Sequence, residues 1–164
     1  MDKLGFIKSK ILSGEELEHR LAQWRFKGYK IVFTNGCFDI LHRGHIEYLA
    51  KASSCGDILI VGINTDASVH SIKGPGRPAQ NEKSRVLLLA SLGFVSAVVL
   101  FDEDTPLKLI EQVQPDVLVK GADYKEEDIV GYDIVKRKGG EIVTIKLTKG
   151  YSTSSIIDKL TSSH

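Results

Sequence analysis

An apolar strand that runs into a glycine turn and then a helix, between Ile31 and Ser54, constrains the fold of this chain more than any other feature of its sequence. Ile31 to Thr34 predicts a buried strand, and a helix is predicted from about Gly44 to Ser54. A second apolar run, Asp57 to Ile63, follows at once. A strand, a helix and a further strand in this order form a right-handed βαβ unit, so the two strands should be parallel.

The alternation of apolar runs and helical patterns continues to the end of the chain. Strands are predicted over Val95 to Phe101, Asp116 to Lys120 and Glu141 to Leu147, and helices from Glu82 to Gly93, after Thr105-Pro106, over Ile129 to Lys138 and from the segment 150–155 onward. Asn64 to Asn81 is rich in polar residues, glycine and proline and is predicted to be a loop. The predicted fold class is α/β: a Rossmann-like five-stranded parallel sheet with helices on both faces.

The first 28 residues precede this alternation and predict a lead helix. Ser13 and Glu16 have the spacing of a capping box, and Leu17, Leu21 and Trp24 mark one apolar helix face. Residues 29–164 are expected to form a single domain, because a chain of 164 residues is long enough for one hydrophobic core and short for two.

Composition and charge exclude several classes of protein. A net charge of +1 gives no general reason to bind nucleic acid. The apolar run from Val86 to Phe101 is broken by polar residues and shorter than the roughly 20 residues that cross a membrane, and no signal-peptide pattern opens the chain. Cys37 and Cys55 lack the spacing of a metal site or a disulfide framework. We therefore expect a cytoplasmic protein that contacts neither nucleic acid nor membrane.

His42-Arg43-Gly44-His45 stands at the predicted helix start and is typical of a phosphate site. Residues three apart share a helix face, so both imidazoles should lie on one side of the first turn. Backbone N–H groups at a helix N-terminus attract an anion, the imidazoles add directional donors, and Gly44 lets a nucleotide approach the backbone. Ser152, Thr153 and Ser154 open a later helix. The two helix starts would together hold one triphosphate.

Two other kinds of chemistry are open to the paired histidines. Zinc needs a third ligand, and Asp39 and Glu47 do not complete a zinc spacing, so no metal site is predicted on the protein itself. Cys37 could act as a nucleophile only with a base that a third group orients, and no such third group can be assigned. Phosphate chemistry explains more of the chain, since the lysine and arginine of the predicted loop suit a segment that closes over an anionic substrate.

Five further motifs accompany the histidines. They are Thr34-Asn35-Gly36-Cys37-Phe38-Asp39-Ile40-Leu41-His42, Gly74-Pro75-Gly76-Arg77-Pro78, Asp104-Thr105-Pro106, Val119-Lys120-Gly121-Ala122-Asp123-Tyr124 and Gly150-Tyr151-Ser152-Thr153. Through these motifs, from about Lys30 to Leu160, the chain resembles the nucleotidyltransferase superfamily of cytidylyltransferase-like enzymes. Within that superfamily it is similar to the bacterial D-glycero-β-D-manno-heptose 1-phosphate adenylyltransferases.

The resemblance implies roles for individual residues. His42, His45 and Lys73 would be catalytic, the histidines by holding the phosphates and the lysine by stabilising the transition state. The nucleotide would contact Asn35, Gly36, Cys37, Phe38, Gly44, Arg85, Lys120, Gly121, Asp123, Tyr124, Tyr151, Ser152 and Thr153. The second substrate is expected to contact Asp39, Asn64, Asp66 and Arg77, where Arg77 rests on the charge of its loop and not on the resemblance.

The implied activity is transfer of AMP from ATP to D-glycero-β-D-manno-heptose 1-phosphate, giving ADP-heptose and pyrophosphate for lipopolysaccharide core precursor synthesis. Mg²⁺ would enter with ATP. A homodimer is expected from the frequency of two-fold assemblies, and a heptose kinase on a separate chain. Two alternatives stay open: a CTP-dependent cytidylyltransferase of the glycerol-3-phosphate type, and a nucleotide-binding module without catalysis. Leu147 and Gly93 stand where the glycerol phosphate enzymes usually carry arginine, which favours ATP.

Overall fold

The structure is a computed structural model that describes residues 2–162. Residues 1, 163 and 164 lie outside the described residues. Residue 1 belongs to the predicted lead segment 1–28, and residues 163 and 164 belong to the predicted domain 29–164. The strands are β1 (Ile31–Gly36), β2 (Ile58–Asn64), β3 (Ala97–Phe101), β4 (Val117–Gly121) and β5 (Glu141–Ile145). The helices are α1 (Lys3–Lys8), α2 (Gly14–Phe26), α3 (Arg43–Ser53), α4 (Asp66–Lys73), α5 (Glu82–Ser91), α6 (Leu107–Val113), α7 (Tyr132–Arg137) and α8 (Thr153–Thr161), with a short 3-10 helix at Glu126–Asp128.

The predicted five-stranded parallel sheet with helices on both faces is confirmed. The strands lie in the order β3-β2-β1-β4-β5, and every pair is parallel. Phe33 of β1 packs into one apolar cluster with Leu21 of α2, whereas its neighbour Val32 packs into a second cluster with Leu49 of α3 and Leu89 of α5. Successive strand residues point to opposite faces, so helices that cover both faces explain why the strands read as unbroken apolar runs.

The order of the strands fixes where a ligand can bind. The chain runs outward from β1 through β2 to β3 and then returns to β4 on the other side of β1. Connections leave β1 and β4 in opposite directions, which opens a crevice beyond the carboxyl ends of these two strands. Among residues 2–162, no helix has both the length and the apolar character that crossing a bilayer requires.

The predicted loop over 64–81 is wrong in its first half, where the chain forms α4. The helix begins because Thr65 accepts a hydrogen bond from the backbone N–H of Ser68 at 3.2 Å, and it is held by Val69, which is fully buried. The Ser68 hydroxyl also donates to the backbone oxygen of Glu103, 3.1 Å away. The burial of Val69 and the bond to Glu103 depend on segments that are distant in the sequence, so the polar local sequence did not reveal them. Only residues 74–81 form the predicted loop.

Two other segments differ from the prediction in detail. The first 28 residues hold two helices instead of one, although the capping box at Ser13 is present as predicted. Ile11 between them pairs with Val98 of β3, which ties this segment to the sheet. The helix predicted from Ile129 begins only at Tyr132, since Gly131 before it has a φ of +92°.

Candidate active site

A cavity of about 610 Å³ lies at the carboxyl ends of β1 and β4, where the strand order reverses. The structure brings almost all of the predicted site residues to its wall; Arg85 and Asp66 are the exceptions. The predicted residues on the wall are Asn35, Gly36, Cys37, Phe38, Asp39, His42, Gly44, His45, Asn64, Lys73, Arg77, Lys120, Gly121, Asp123, Tyr124, Tyr151, Ser152 and Thr153.

His42 and His45 lie face to face on this wall. Their ring centroids are 3.7 Å apart with 22° between the ring planes, and Phe38 meets the His45 ring edge-on at 5.2 Å. His42 is the N-cap of α3, but its side chain makes no capping hydrogen bond. The Nδ1 atoms of both rings are buried without a hydrogen-bond partner among residues 2–162. Packing holds both rings in place and leaves them hydrogen-bonding capacity for a ligand.

Burial keeps both imidazoles neutral near neutral pH. It lowers the pKa of His42, and together with the neighbouring His42 it lowers the pKa of His45 from 6.5 to about 4. Two protonated rings in a stack would also repel each other. A neutral imidazole still donates one N–H, so the pair can donate hydrogen bonds without carrying charge.

The free energy of unfolding should fall as the pH is lowered from 6.5 to about 4, the two pKa values of His45 in the unfolded and the folded chain. In this window the unfolded chain binds a proton on His45 that the folded chain does not, so stability rises with pH. Urea unfolding at stepped pH measures this slope. The His45→Asn variant cannot titrate at this position and should give a shallower profile; an unchanged slope would contradict the assignment.

The start of α8 meets the start of α3 in this cavity. Ser152 is the N-cap of α8 and accepts a hydrogen bond from the Ser155 N–H at 3.1 Å, the usual role of serine at this position. A Cβ on Gly44 would lie 3.4 Å from the Cβ of Tyr151. The two helix starts are thus so close that a methyl group on Gly44 would be in van der Waals contact with Tyr151. The predicted arrangement, with both starts on one cavity, is what the structure has.

On the β2 side of the cavity, Asp39 holds the loop that follows α4. Its buried carboxylate accepts hydrogen bonds from Arg77 Nε at 2.7 Å and from the N–H groups of Ala79 at 2.9 Å and Gln80 at 3.0 Å. Burial alone would raise the pKa of Asp39, but these donors outweigh it and hold the pKa below its ordinary value. Asp39 therefore positions Arg77, and its oxygens are already engaged.

Arg85 and Asp66 lie behind the cavity wall. The buried Arg85 guanidinium donates through Nη1 to the backbone oxygens of Cys37 and Asn64, both at 2.8 Å. Its Nη2 pairs with Asp66 at 2.7 Å. Arg85 thereby joins the ends of β1, β2 and α4 beneath the site. It was predicted to contact the nucleotide, but the structure buries it behind the wall, with its guanidinium bound to these protein oxygens. The structure does not bring Asp66 to a place where it would contact a substrate.

The β4 side of the cavity carries Lys120 and a polar turn with Asp123 and Tyr124. Lys120 Nζ donates to the Asn35 side chain, and burial lowers the pKa of Lys120 to about 8. Burial also raises the pKa of Cys37. That shift disfavours the thiolate which a cysteine nucleophile would need.

Several wall residues were not among the individual site residues that the sequence analysis predicted. They are Tyr48, Ile72, Asp104, Leu147, Thr148 and Ser154. Asp104 and Thr148 follow β3 and β5, so the rule that ligands lie beyond the carboxyl ends of strands would have pointed to them. Tyr48 lies one turn after His45, where its hydroxyl hydrogen-bonds to the Thr34 hydroxyl and to the backbone oxygen of Val119.

Among the described residues, no group of three histidine, cysteine or acidic side chains could hold a metal ion.

Solved structures share this architecture. The lipopolysaccharide core biosynthesis protein of Thermoplasma volcanium is 29% identical and aligns over 76% of this chain and 100% of its own, with a TM-score of 0.62. The pantoate-beta-alanine ligase of Francisella tularensis has a TM-score of 0.58 over 91% of this chain and 76% of its own, and at 17% identity it shows the fold alone.

Curated relatives match almost the whole chain. The bifunctional protein HldE of Citrifermentans bemidjiense is 53% identical over 95% of this chain and 32% of its own length, and that of Rhodopseudomonas palustris is 52% identical over 90% of this chain and 30% of its own. The chain thus spans about a third of the length of these relatives. Residues 33–159 match the family described as cytidylyltransferase-like. As its motifs predicted, the chain belongs to the cytidylyltransferase-like family.

Proposed function

We propose that this chain is an adenylyltransferase that transfers AMP from ATP to D-glycero-β-D-manno-heptose 1-phosphate, releasing pyrophosphate and ADP-heptose for lipopolysaccharide core precursor synthesis. The observation that carries the proposal is the meeting of the α3 and α8 starts in one cavity that Lys73 also lines. Helix N-termini and cationic or N–H donors that converge on one space suit a triphosphate.

The choice of acceptor rests on likeness. The motifs of the chain resemble those of heptose 1-phosphate adenylyltransferases, the HldE proteins are about half identical to it, and a solved neighbour is described as a lipopolysaccharide core biosynthesis protein. Lys73 and Arg77 line the β2 side of the cavity, next to Asn64. Two cations there suit the phosphate of a sugar phosphate.

The choice of ATP rests on Leu147. Its side chain lines the cavity, and the residue is 54% exposed. An apolar side chain offers packing to a purine ring, whereas an arginine at this position would offer hydrogen bonds to a cytosine. Gly93, the other departure from the glycerol phosphate enzymes, does not line the cavity. Leu147 is therefore the position at which ATP and CTP would be distinguished.

The reaction would be an in-line displacement. An oxygen of the sugar 1-phosphate attacks the α-phosphorus of ATP, the bond from that phosphorus to the bridging oxygen breaks, and pyrophosphate leaves with the electron pair. A phosphate is already a competent nucleophile, so positioning and charge stabilisation remain for the protein. His42 and His45 would donate N–H groups to the phosphates, and Lys73 would stabilise the developing charge.

Mg²⁺ would be held mainly by ATP. Mg²⁺ keeps several waters and binds through substrate phosphates with one or two carboxylates. The cavity provides Asp104 and Asp123, which have no hydrogen bond or ion pair among residues 2–162, whereas the oxygens of Asp39 are engaged. This donor set fits a metal that arrives with the nucleotide, and the ion would neutralise phosphate charge.

Replacing Gly44 with alanine is expected to lower kcat/KM about tenfold or more, because misplacing a catalytic group by a fraction of an ångström is costly. The new Cβ would lie 3.0 Å from Cε1 and 3.1 Å from Nδ1 of His42, so that ring must move. Alanine in a helix is otherwise favoured over glycine by about 1 kcal/mol, so the melting temperature should not fall. Steady-state pyrophosphate release and thermal unfolding measure the two effects; unchanged kinetics would contradict the placement of His42.

A coupled pyrophosphate assay tests the proposal. Purified protein is given ATP or CTP with Mg²⁺ and a panel that includes heptose 1-phosphate and glycerol 3-phosphate. Release with ATP and heptose 1-phosphate alone is the expected result. Release with CTP and glycerol 3-phosphate would establish the cytidylyltransferase alternative, and ATP binding without release on any acceptor would establish a binding module.

The homodimer and the cytoplasmic location stay predictions, which sedimentation and cell fractionation would check.

A further inference from the structure

The segment between β5 and α8 carries four wall residues of the cavity with little support of its own. Leu147, Thr148, Tyr151 and Ser152 line the cavity, yet most of the segment is exposed, Lys149 and Gly150 included. No backbone hydrogen bond is formed by residues 147–151 in the described part of the chain. Whatever positions this segment must therefore act through side chains.

Those side chains come from α3, the helix that begins at the histidines. Arg43 Nε pairs with one oxygen of Glu47 at 2.6 Å, and the Thr148 hydroxyl donates to the other oxygen of the same carboxylate. Arg43 also donates through Nη1 to the Tyr151 hydroxyl at 3.4 Å and lies 5.6 Å from the centre of that ring. Glu47 is thus shared between a cation on its own helix and a hydroxyl of the segment.

The arrangement stays formed near neutral pH. The Thr148 hydroxyl first and Arg43 second lower the pKa of Glu47, so the carboxylate is ionised there. Exposed ion pairs contribute little to global stability, and this pair is on the surface, with 66% of the Arg43 side chain exposed. Its effect should therefore appear in the placement of the segment and not in the melting temperature.

We propose that Arg43 and Glu47 are positioning residues, which hold Thr148, Tyr151 and the α8 start beside the histidines before ATP binds. A site that is ordered in advance loses less conformational freedom on binding. One helix then sets both halves of the phosphate site, His42 and His45 directly and the α8 start through Glu47. The inference rests on the proposed nucleotide site but does not depend on which acceptor is used.

The test is Glu47→Ala in the full chain, with ATP and Mg²⁺ as the probe. The Kd of ATP by calorimetry and the KM for ATP should rise about tenfold, a usual size for coupled contacts. The kcat and the KM for the sugar phosphate should change less than about twofold, and the melting temperature should stay close to that of the wild type. Glu47→Gln keeps an oxygen that can accept from Thr148 and should restore part of the affinity. Glu15→Ala, which removes an exposed carboxylate on α2 that does not line the cavity, is the matched control.

A double-mutant cycle with Thr148→Val identifies the route of the effect. If Glu47 acts through Thr148, the double variant binds ATP about as weakly as the weaker single variant. Additive losses, or an unchanged Kd in Glu47→Ala, would overturn the inference. Failure of the proposed function looks different: the wild type then releases no pyrophosphate with any acceptor, while the Kd values still decide the role of Glu47.

Discussion

Replacing His45 with alanine is expected to lower kcat for pyrophosphate release from ATP and heptose 1-phosphate by about 100-fold or more, the usual cost of removing one oriented donor from a developing oxyanion. The ring is half-buried, stacked on His42 and braced by Phe38, so it is pre-oriented. Its low pKa keeps it neutral, which means that the lost contribution is a directed N–H group and not a net charge.

The same variant also removes the surface on which His42 rests. We therefore expect kcat and kcat/KM to fall together, the signature of an interaction made in the transition state, with a smaller rise in the Kd of ATP. His19→Ala, an exposed histidine on α2, should behave as the wild type. Near-normal turnover by a His45→Ala protein with wild-type circular dichroism would show that His45 has no part in the reaction.

The sequence predicted the sheet and the main walls of the cavity because both follow from local patterns. The apolar runs around Val32 and Ile60 identify strands that are covered on both faces, and the carboxyl ends of parallel strands meet at one edge. His42 and His45 are three residues apart on one helix, so their neighbourhood follows from helix geometry. Ser152 was placed beside them because its helix also begins after a strand of the same parallel sheet, so both helix starts were expected at one edge.

Side-chain partnerships between distant segments were not predictable from the sequence. Asp39 and Arg77 were both expected on the substrate and both line the cavity, but the ion pair that joins them across 38 positions of the chain was not predicted. Asp66 was also expected to contact the substrate, but its carboxylate pairs with the Arg85 guanidinium instead. Such pairs form because a buried charge must find a partner, and which partner it finds depends on tertiary distances that no local pattern contains. The short helix α4 escaped prediction for the same reason.

Lys73 differs from Arg77 and Lys120, the other cations of the cavity, in having no hydrogen-bond or ion-pair partner in the described part of the chain. Arg77 is paired with Asp39 and Lys120 donates to Asn35, whereas Lys73 has neither an ion pair nor a hydrogen bond among residues 2–162. It is the last residue of α4 and exposed, directly before Gly74 with a φ of +88°. A flexible ammonium group at this place can follow charge as it develops on the phosphates.

Lys73→Ala is therefore expected to lower kcat about 100-fold without lowering the melting temperature, since the exposed side chain has no hydrogen bond or ion pair to lose among residues 2–162. Steady-state pyrophosphate release with ATP and heptose 1-phosphate measures the loss, and Lys83→Ala, which replaces an exposed lysine on α5, controls for the change in net charge.

The kcat and the KM for the sugar phosphate separate two roles of Lys73. If Lys73 stabilises the transition state, kcat and kcat/KM fall alike. A higher KM for the sugar phosphate with an unchanged kcat would contradict this role and place Lys73 in ground-state binding of the acceptor.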